Sequence, residues 1–272
     1  MSDWARSSRR HVRRIAIFAL LVGPAAWFAP IPTLVMLACG ALDVGRHRNI
    51  TLNLVEEYFT GRGLLTWALS PINLLSDLFA RRIKRPVRLE DLPADCRREI
   101  EACVAAFLEN GAPIKGAVRP HVEGAGRVML TFKWFNKALP SQVSIPAFEQ
   151  KFRYVKTIAV STFGARKKTS WHFGPQRLTL RVLRTLEPID SDDVFIAVDD
   201  HMHRWRDQPL FIFDDTMFHC SENNIDVDRY CLFMDIVRPN HFQTGFEAAI
   251  TAMSLLAGSF RSLFYKNWSF VR

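Results

Sequence analysis

The sequence predicts a mainly β domain, a sandwich or barrel of short strands, with flanking helices and an N-terminal helical membrane anchor. Three observations carry this expectation. Runs of β-branched and aromatic residues recur at Tyr154–Phe163, Leu178–Leu186, Val194–Val198, Leu210–Phe213 and Tyr230–Val237, separated by polar turns. The stretch Ile15–Leu42 holds 28 residues without a formal charge, which exceeds the roughly 20 that a helix needs to cross a bilayer. Arginines flank the apolar segments: Arg6, Arg9, Arg10, Arg13 and Arg14 before the first, and Arg81, Arg82, Lys84, Arg85 and Arg88 after a second, Gly63–Phe79.

Composition narrows the class. The 272 residues carry a net charge of +9 and a pI of about 9.6, which favours an anionic partner. Because the basic clusters border apolar segments and no nucleic-acid module is recognisable, that partner is expected to be a membrane surface and not a nucleic acid. The five cysteines, Cys39, Cys96, Cys103, Cys220 and Cys231, match neither a CxxC nor a zinc spacing, and read as reduced residues in a cytosolic setting. A secretory signal peptide describes the N-terminus poorly, since the apolar run is too long and no small-residue cleavage site follows it, so the segment is expected to stay on the protein.

Taken in order, the first apolar run contains Pro24, Pro30 and Pro32, which predict a bent span or a re-entrant hairpin. Gly63–Phe79 is shorter and carries Asp77, as a weak return span or an interfacial helix would. The linker Asp43–Arg62 balances Arg46, Arg48 and Arg62 against Asp43, Glu56 and Glu57, so the positive-inside bias keeps both outer flanks cytoplasmic. A helix follows Arg85, with Asp91 or Asp95 as N-cap and Gly111 as C-cap, and strands begin within Gly126–Pro140. From Phe246 an apolar tail with Arg261, Lys266 and Arg272 either caps the core or lies on a membrane. The expected regions are a membrane-associated helical segment at 1–85, a catalytic domain at 86–240 and a helical tail at 241–272.

The chemistry concentrates between Trp171 and Pro239. His172 and His219 each precede an arginine at a similar offset, Arg181 and Arg229. Neutral imidazoles are common ligands for iron, and an arginine fork binds a carboxylate through parallel hydrogen bonds. A metal and a dicarboxylate are what this set would hold. The competing structural readings are an ion pair of Arg229 with Asp226 or Asp228, and a solvent-facing Arg181. Asp214 reads as a turn residue, His201 and His203 as parts of a polar hairpin in DDHMHRW, and Arg166, Lys167 and Lys168 as a solvated loop or a lipid-headgroup contact.

These motifs, WHFGPQRLTLR, FDDTMFHCSENN, Arg229 and DIVRP, with FKWFNKALPS at Phe132–Ser141 and HRWRD at His203–Asp207, resemble the aspartyl/asparaginyl β-hydroxylase family of iron(II) and 2-oxoglutarate dioxygenases. The resemblance runs from about Asn73 to Pro239. It is strongest to a membrane-anchored bacterial branch that includes lipid A and ornithine-lipid acyl hydroxylases. It implies a double-stranded β-helix of the jelly-roll or cupin type, with His172 and His219 as iron ligands. By the same resemblance Arg229 binds the distal carboxylate of 2-oxoglutarate, Arg181 holds its other end near the metal, and Ser161 is a further cosubstrate contact. Dioxygen is the co-reactant.

Two positions depart from relatives. Gly174 stands where the usual triad has a carboxylate, so a water or a halide fills that place, and Asp215 orients such a water. Leu183 stands where relatives have histidine, so either Arg184 compensates or the pocket has shifted. The function implied is hydroxylation of a membrane-lipid acyl chain at the cytoplasmic face of a bacterial-type inner membrane, with no nucleic acid and no obligate protein partner. The alternatives are hydroxylation of Asp or Asn residues or of carrier-bound amino acids, and an inactive membrane scaffold.

Overall fold

The structure, a computed structural model, describes residues 3–83, 85–257 and 268–271. Lys84 of the second basic cluster, and Arg261, Lys266 and Arg272 of the tail, lie outside the described residues. The chain forms two compact units. One comprises the chain up to Leu78 together with Trp171–Arg177 and Asp215–His219, and the other Phe79–Ser170, Leu178–Asp214 and the chain from Cys220 onward.

The first unit is helical: α1 (Asp3–Phe28), α2 (Pro30–Val44), α3 (Leu52–Thr60), α4 (Leu64–Ala68) and α5 (Ser70–Phe79). The expected bend falls at Ala29, whose φ of −143° leaves the helical region, and Pro30 then starts α2 at a position where its missing N–H costs nothing. His11–Phe28 is long and apolar enough to cross a membrane, and none of its residues is fully buried. Within this stretch Arg14 pairs with Glu56 (3.2 Å) and Glu57 of α3, and Phe18 meets Phe59 edge-on. Thr51 caps α3 by accepting from the Leu54 N–H at 3.2 Å.

Helix α5 is amphipathic in the inverted sense. Ser70, Asn73 and Ser76 are buried, whereas Ile72, Leu75 and Leu78 are 54%, 56% and 77% exposed. A helix bathed in water turns its apolar stripe inward. This one turns polar groups to protein partners and leucines outward, the arrangement that suits an apolar medium.

The second unit opens with α6 (Ala94–Glu109) and α7 (Gly111–Ala125). Pro93, not Asp91 or Asp95, is the N-cap of α6, and Gly111 starts α7 where the sequence suggested a helix end. The glycines and prolines of GAPIKGAVRPHVEGA obscured α7, but Ile114, Val118 and Val122 lie one turn apart and are buried in the core, and packing outweighs propensity.

The strands are β1 (Arg127–Trp134), β2 (Lys137–Ala138), β3 (Val155–Phe163), β4 (Lys167–Lys168), β5 (Thr179–Thr185), β6 (Val194–Val198), β7 (His201–Arg204), β8 (Leu210–Phe213), β9 (His219–Asn223), β10 (Arg229–Val237) and β11 (Ser269–Val271), with a short α8 (Pro146–Glu149) before β3. One sheet runs β11-β1-β3-β10-β5-β8, with β2 on β1, and the other β4-β9-β6-β7. Pairing is antiparallel except for β11 on β1. This is the mainly β, jelly-roll-type domain with flanking helices that the sequence predicts.

Strand alternation gives the larger sheet two faces. Val160, Val182, Leu232 and Met234 join the core with Ile100, Phe107, Ile114 and Val118 of the two helices. The alternate residues, including Ser161, Arg181, Arg229 and Phe233, occupy the opposite face. Helix α9 (Gln243–Ala257) caps the helix-side core through Phe246 and Ile250. All five cysteines are free, and burial pushes the Cys96 and Cys103 thiols up to about 12, as befits packing residues.

Candidate active site

In the helical unit His172 and His219 form an isolated antiparallel bridge, each backbone N–H donating to the other's carbonyl at 2.9 and 3.0 Å. Residues 47 apart in sequence are thereby set ring beside ring, with centroids 4.1 Å apart at 49°. With metal–nitrogen bonds of about 2.0–2.1 Å, two imidazoles on neighbouring positions of one ion have centroids roughly 4–5 Å apart, and the observed separation lies at the lower end of that range. His219 Nδ1 lies 2.8 Å from the Met217 carbonyl, which fixes the Nδ1–H tautomer and leaves Nε2 with its lone pair. Among the described residues no group of three His, Cys, Asp or Glu is placed to hold a metal. The protein offers two nitrogens, not a triad.

Asp215 explains Gly174. The Gly174 N–H donates to the Asp215 carbonyl at 2.6 Å, and a Cβ built on Gly174 would collide with the Asp215 carboxylate. The FDD turn thus places a carboxylate against Gly174, where a side chain would begin, without making it a third member of a metal-holding group among the described residues. Asp214, its neighbour in sequence, belongs to the β unit, where it pairs with Arg85 and Arg238 at 3.7 and 3.8 Å and is structural.

Both histidine segments are braced by polar groups within their unit. Arg177, fully buried, pairs with Asp43 and Asp77, and its Nε donates to Thr216 Oγ1 at 3.3 Å. Asn73 accepts from the Arg177 N–H at 2.9 Å and donates to the Pro175 carbonyl at 3.2 Å, while Thr66 donates to the Gly174 carbonyl at 2.9 Å. His47 Nε2 accepts from the Phe218 N–H at 3.2 Å, immediately before His219 in the chain. Tyr58, Phe173 and Phe218 pack as an aromatic cluster behind these contacts.

The β unit carries the arginines. Arg229 is 3% exposed and lies between Phe163 and Trp205, with Cζ 4.3 and 5.5 Å from the ring centroids. Its Nη2 donates to Ser221 Oγ at 2.8 Å and its Nη1 to the Glu222 carbonyl at 3.4 Å, but Nε has no acceptor. Asp226 instead pairs with Arg166, and Asp228 accepts from the Ala165 N–H. Among the described residues no carboxylate pairs with Arg229. A guanidinium buried without a counter-ion is costly and suits a site that receives an anion.

Ser161 shares this face, because β10 places Cys231 opposite Ser161 and Arg229 opposite Phe163. Arg181 is different. It lies opposite Asp235, six residues from Arg229 and thus roughly 20 Å along the strand, and its Nε donates to Asp235 Oδ1 at 2.8 Å. Leu183, opposite Phe233 and Phe211, is buried on the same face. Arg184 points to the other face and donates to the Thr185 carbonyl, so it does not replace a polar group at 183.

Residues 135–239, which contain all of these histidines and arginines, match the aspartyl/asparaginyl beta-hydroxylase family. The match covers that segment, less than half of the chain, and is a similarity to the family. Over 91 residues the chain is 34% identical to an ornithine lipid ester-linked acyl 2-hydroxylase of Rhizobium tropici, covering 33% of this chain and 32% of the relative, so it spans about a third of the relative's length. Solved structures align more loosely. A protein of Thermus thermophilus matches at 12% identity over 41% of this chain and 86% of its own, with a TM-score of 0.27. An oxalate oxidase in complex with glycolate matches at 7% identity over 43% and 54%, with a TM-score of 0.30.

Within the β-hydroxylase segment, His203 is the residue the sequence undersold. The hairpin expected in DDHMHRW exists, turning at Asp199 and Asp200, but His203 on β7 is buried and stacks on Phe211 at 4.2 Å. The alternation His201, His203, Trp205 was the available signal. Burial, and next His201, pull the His203 pKa down to about 4, against a hydrogen bond to the Gln208 carbonyl. The folded value lies below the unfolded value of about 6.5, so the unfolded chain binds more protons between the two. Stability from this group is complete above about pH 6.5 and is lost as pH falls toward 4, by at most about 3 kcal/mol. Thermal midpoints measured from pH 7 to 4.5 are expected to fall less steeply in His203→Phe than in the native protein.

Proposed function

We propose that this chain is an iron(II)- and 2-oxoglutarate-dependent hydroxylase of a membrane-lipid acyl chain, of the ornithine-lipid or lipid A type, working at the cytoplasmic face of a bacterial-type inner membrane. The observation that supports the proposal is the His172–His219 bridge, which sets two imidazoles side by side at a separation that a shared ion allows. In this reading both Nε2 atoms hold iron, and the Met217 carbonyl keeps the His219 lone pair pointing outward. Bound iron with 2-oxoglutarate and dioxygen supplies the oxidising power that replaces a C–H by C–OH, with succinate and carbon dioxide as the other products.

The chain's own residues do the holding. Arg229, with Ser161 on the same face, takes the distal carboxylate, and its burial strengthens that charge-assisted contact. Arg181, whose guanidinium carbon lies 3.9 Å from the ring of Phe233, between Asp235 and Arg229 in the strand register, takes the other end. The Asp215 carboxylate, occupying the place of a side chain at 174, accepts a hydrogen bond from a water that completes the site. Lipid as substrate is supported by the activity named for the Rhizobium tropici relative and by the outward apolar faces of α1 and α5. An enzyme held at the bilayer meets a substrate that never leaves it.

Lipid mass spectrometry of cells with and without the protein tests this. One added oxygen on a lipid acyl chain is expected. An unchanged lipid profile would sink the proposal, and an oxygen found on Asp or Asn residues or on carrier-bound amino acids would select the amino-acid alternative.

A further inference from the structure

Beside Arg229 two more buried side chains leave polar atoms unsatisfied. Trp205 is 2% and His203 7% exposed, yet Trp205 Nε1 and His203 Nε2 have no hydrogen-bond partner, and neither has Arg229 Nε. The three side chains touch. The His203 and Trp205 rings meet edge to face at 4.8 Å, and the guanidinium carbon lies 5.5 Å from the Trp205 ring. Leaving a buried donor unpaired is costly, and protein interiors satisfy nearly all such groups. Three in contact on two facing sheets mark a place shaped for a ligand rather than for packing.

The chemistry of that ligand follows from the atoms. An indole nitrogen is only a donor, and so is a guanidinium. His203 donates to the Gln208 carbonyl, and since its Nε2 has no partner the donating atom is Nδ1, so the neutral ring presents a lone pair at Nε2. A carboxylate with the oxygens of one end toward Trp205 and Arg229 satisfies both donors, and a water or a proton taken from solvent lets His203 Nε2 reach it as well. No carboxylate of the described chain serves here.

We propose that Trp205 and His203 are positioning residues for a ligand carboxylate, forming one subsite with Arg229. The subsite rests on the reading that Arg229 receives 2-oxoglutarate, and adds two side chains from the second sheet to it. Phe211 holds the His203 ring flat at 11°, and Phe163 and Trp205 hold the guanidinium between them, so the donors are fixed before the ligand arrives. Phe211, on which His203 stacks, is the strand partner of Leu183.

Two probes separate this proposal from the one beneath it. Glutarate keeps the distal carboxylate but lacks the 2-oxo group that chelates a metal, and 2-oxoglutarate has both. Binding of each, and of Mn(II) alone, is measured by calorimetry on the full detergent-solubilised chain, for the native protein, Trp205→Phe, His203→Phe and Arg229→Met. Expected is a loss of about tenfold in affinity for both acids in Trp205→Phe and His203→Phe, with Mn(II) binding unchanged. Ligand-free thermal midpoints of Trp205→Phe should be no lower than native, because the variant deletes an unpaired donor while keeping most of the packing, and this readout also verifies that it folds. Native-like affinity for both acids in folded Trp205→Phe and His203→Phe, with loss only in Arg229→Met, overturns the subsite and leaves the cosubstrate proposal standing. A native protein that binds Mn(II) but neither acid overturns both.

Discussion

Replacing His219 by alanine is expected to abolish metal binding and hydroxylation together while leaving the fold in place. The chain offers two imidazoles and no third side-chain ligand among the described residues, so deleting one leaves a single nitrogen. Loss of a group that merely orients a ligand costs about 10–100-fold in metal affinity or activity, and loss of a ligand itself exceeds that. The bridge to His172 is made by backbone atoms, which alanine retains, so the two segments stay joined. Anaerobic addition of iron(II) and 2-oxoglutarate, followed by visible spectroscopy, reads the outcome. The weak charge-transfer band should appear with the native chain and be absent from His219→Ala and His172→Ala, while Arg229→Met should require more 2-oxoglutarate to reach the same band. A native-strength band in His219→Ala would remove the histidine pair from the site.

What the sequence disclosed and what it hid divide along physical lines. Strands β3, β5, β6, β8 and β10 were legible because burial on a sheet demands β-branched and aromatic residues in short runs bounded by turns. Strands β7 and β9 were not, since HMHR and HCSEN are short and mostly polar and carry no run of β-branched residues. The five-residue strand β9 begins on His219 itself. Helix α5 misled in another way. Its apolar residues are real, but they face outward, and periodicity alone does not say which side of a helix is wet.

The site residues show the same division. His172, His219 and Arg229 stood out through motif spacing, and the structure brings the first two together and buries the third without a counter-ion. The relation between Gly174 and Asp215 could not be read from spacing, because residues 41 apart meet only through the turn that the histidine bridge closes.

Arg177→Met is expected to cost about 3 kcal/mol of stability and to weaken metal binding with it, although Arg177 carries no reacting atom. Removing one member of a buried ion pair strands its partner's charge, at about 3–5 kcal/mol. The low end applies, since Asp77 is part-exposed and Arg46 stays 3.3 Å from Asp43, where Tyr58 also donates at 2.8 Å. On a chain of this size the midpoint should fall by roughly 6–12 °C. The coupling to metal follows from placement: Arg177 ties Thr216 of one histidine segment to Asp43 and Asp77 of the helices, and its own backbone ends the other segment on Asn73. If charge stranding is the cause, adding Asp43→Asn to Arg177→Met recovers part of the stability, because no unpaired carboxylate is then buried. A single variant as stable as the native protein, with native Mn(II) affinity, would mean that the aromatic cluster of Tyr58, Phe173 and Phe218 with the Thr66, Asn73 and His47 hydrogen bonds suffices to hold the histidines.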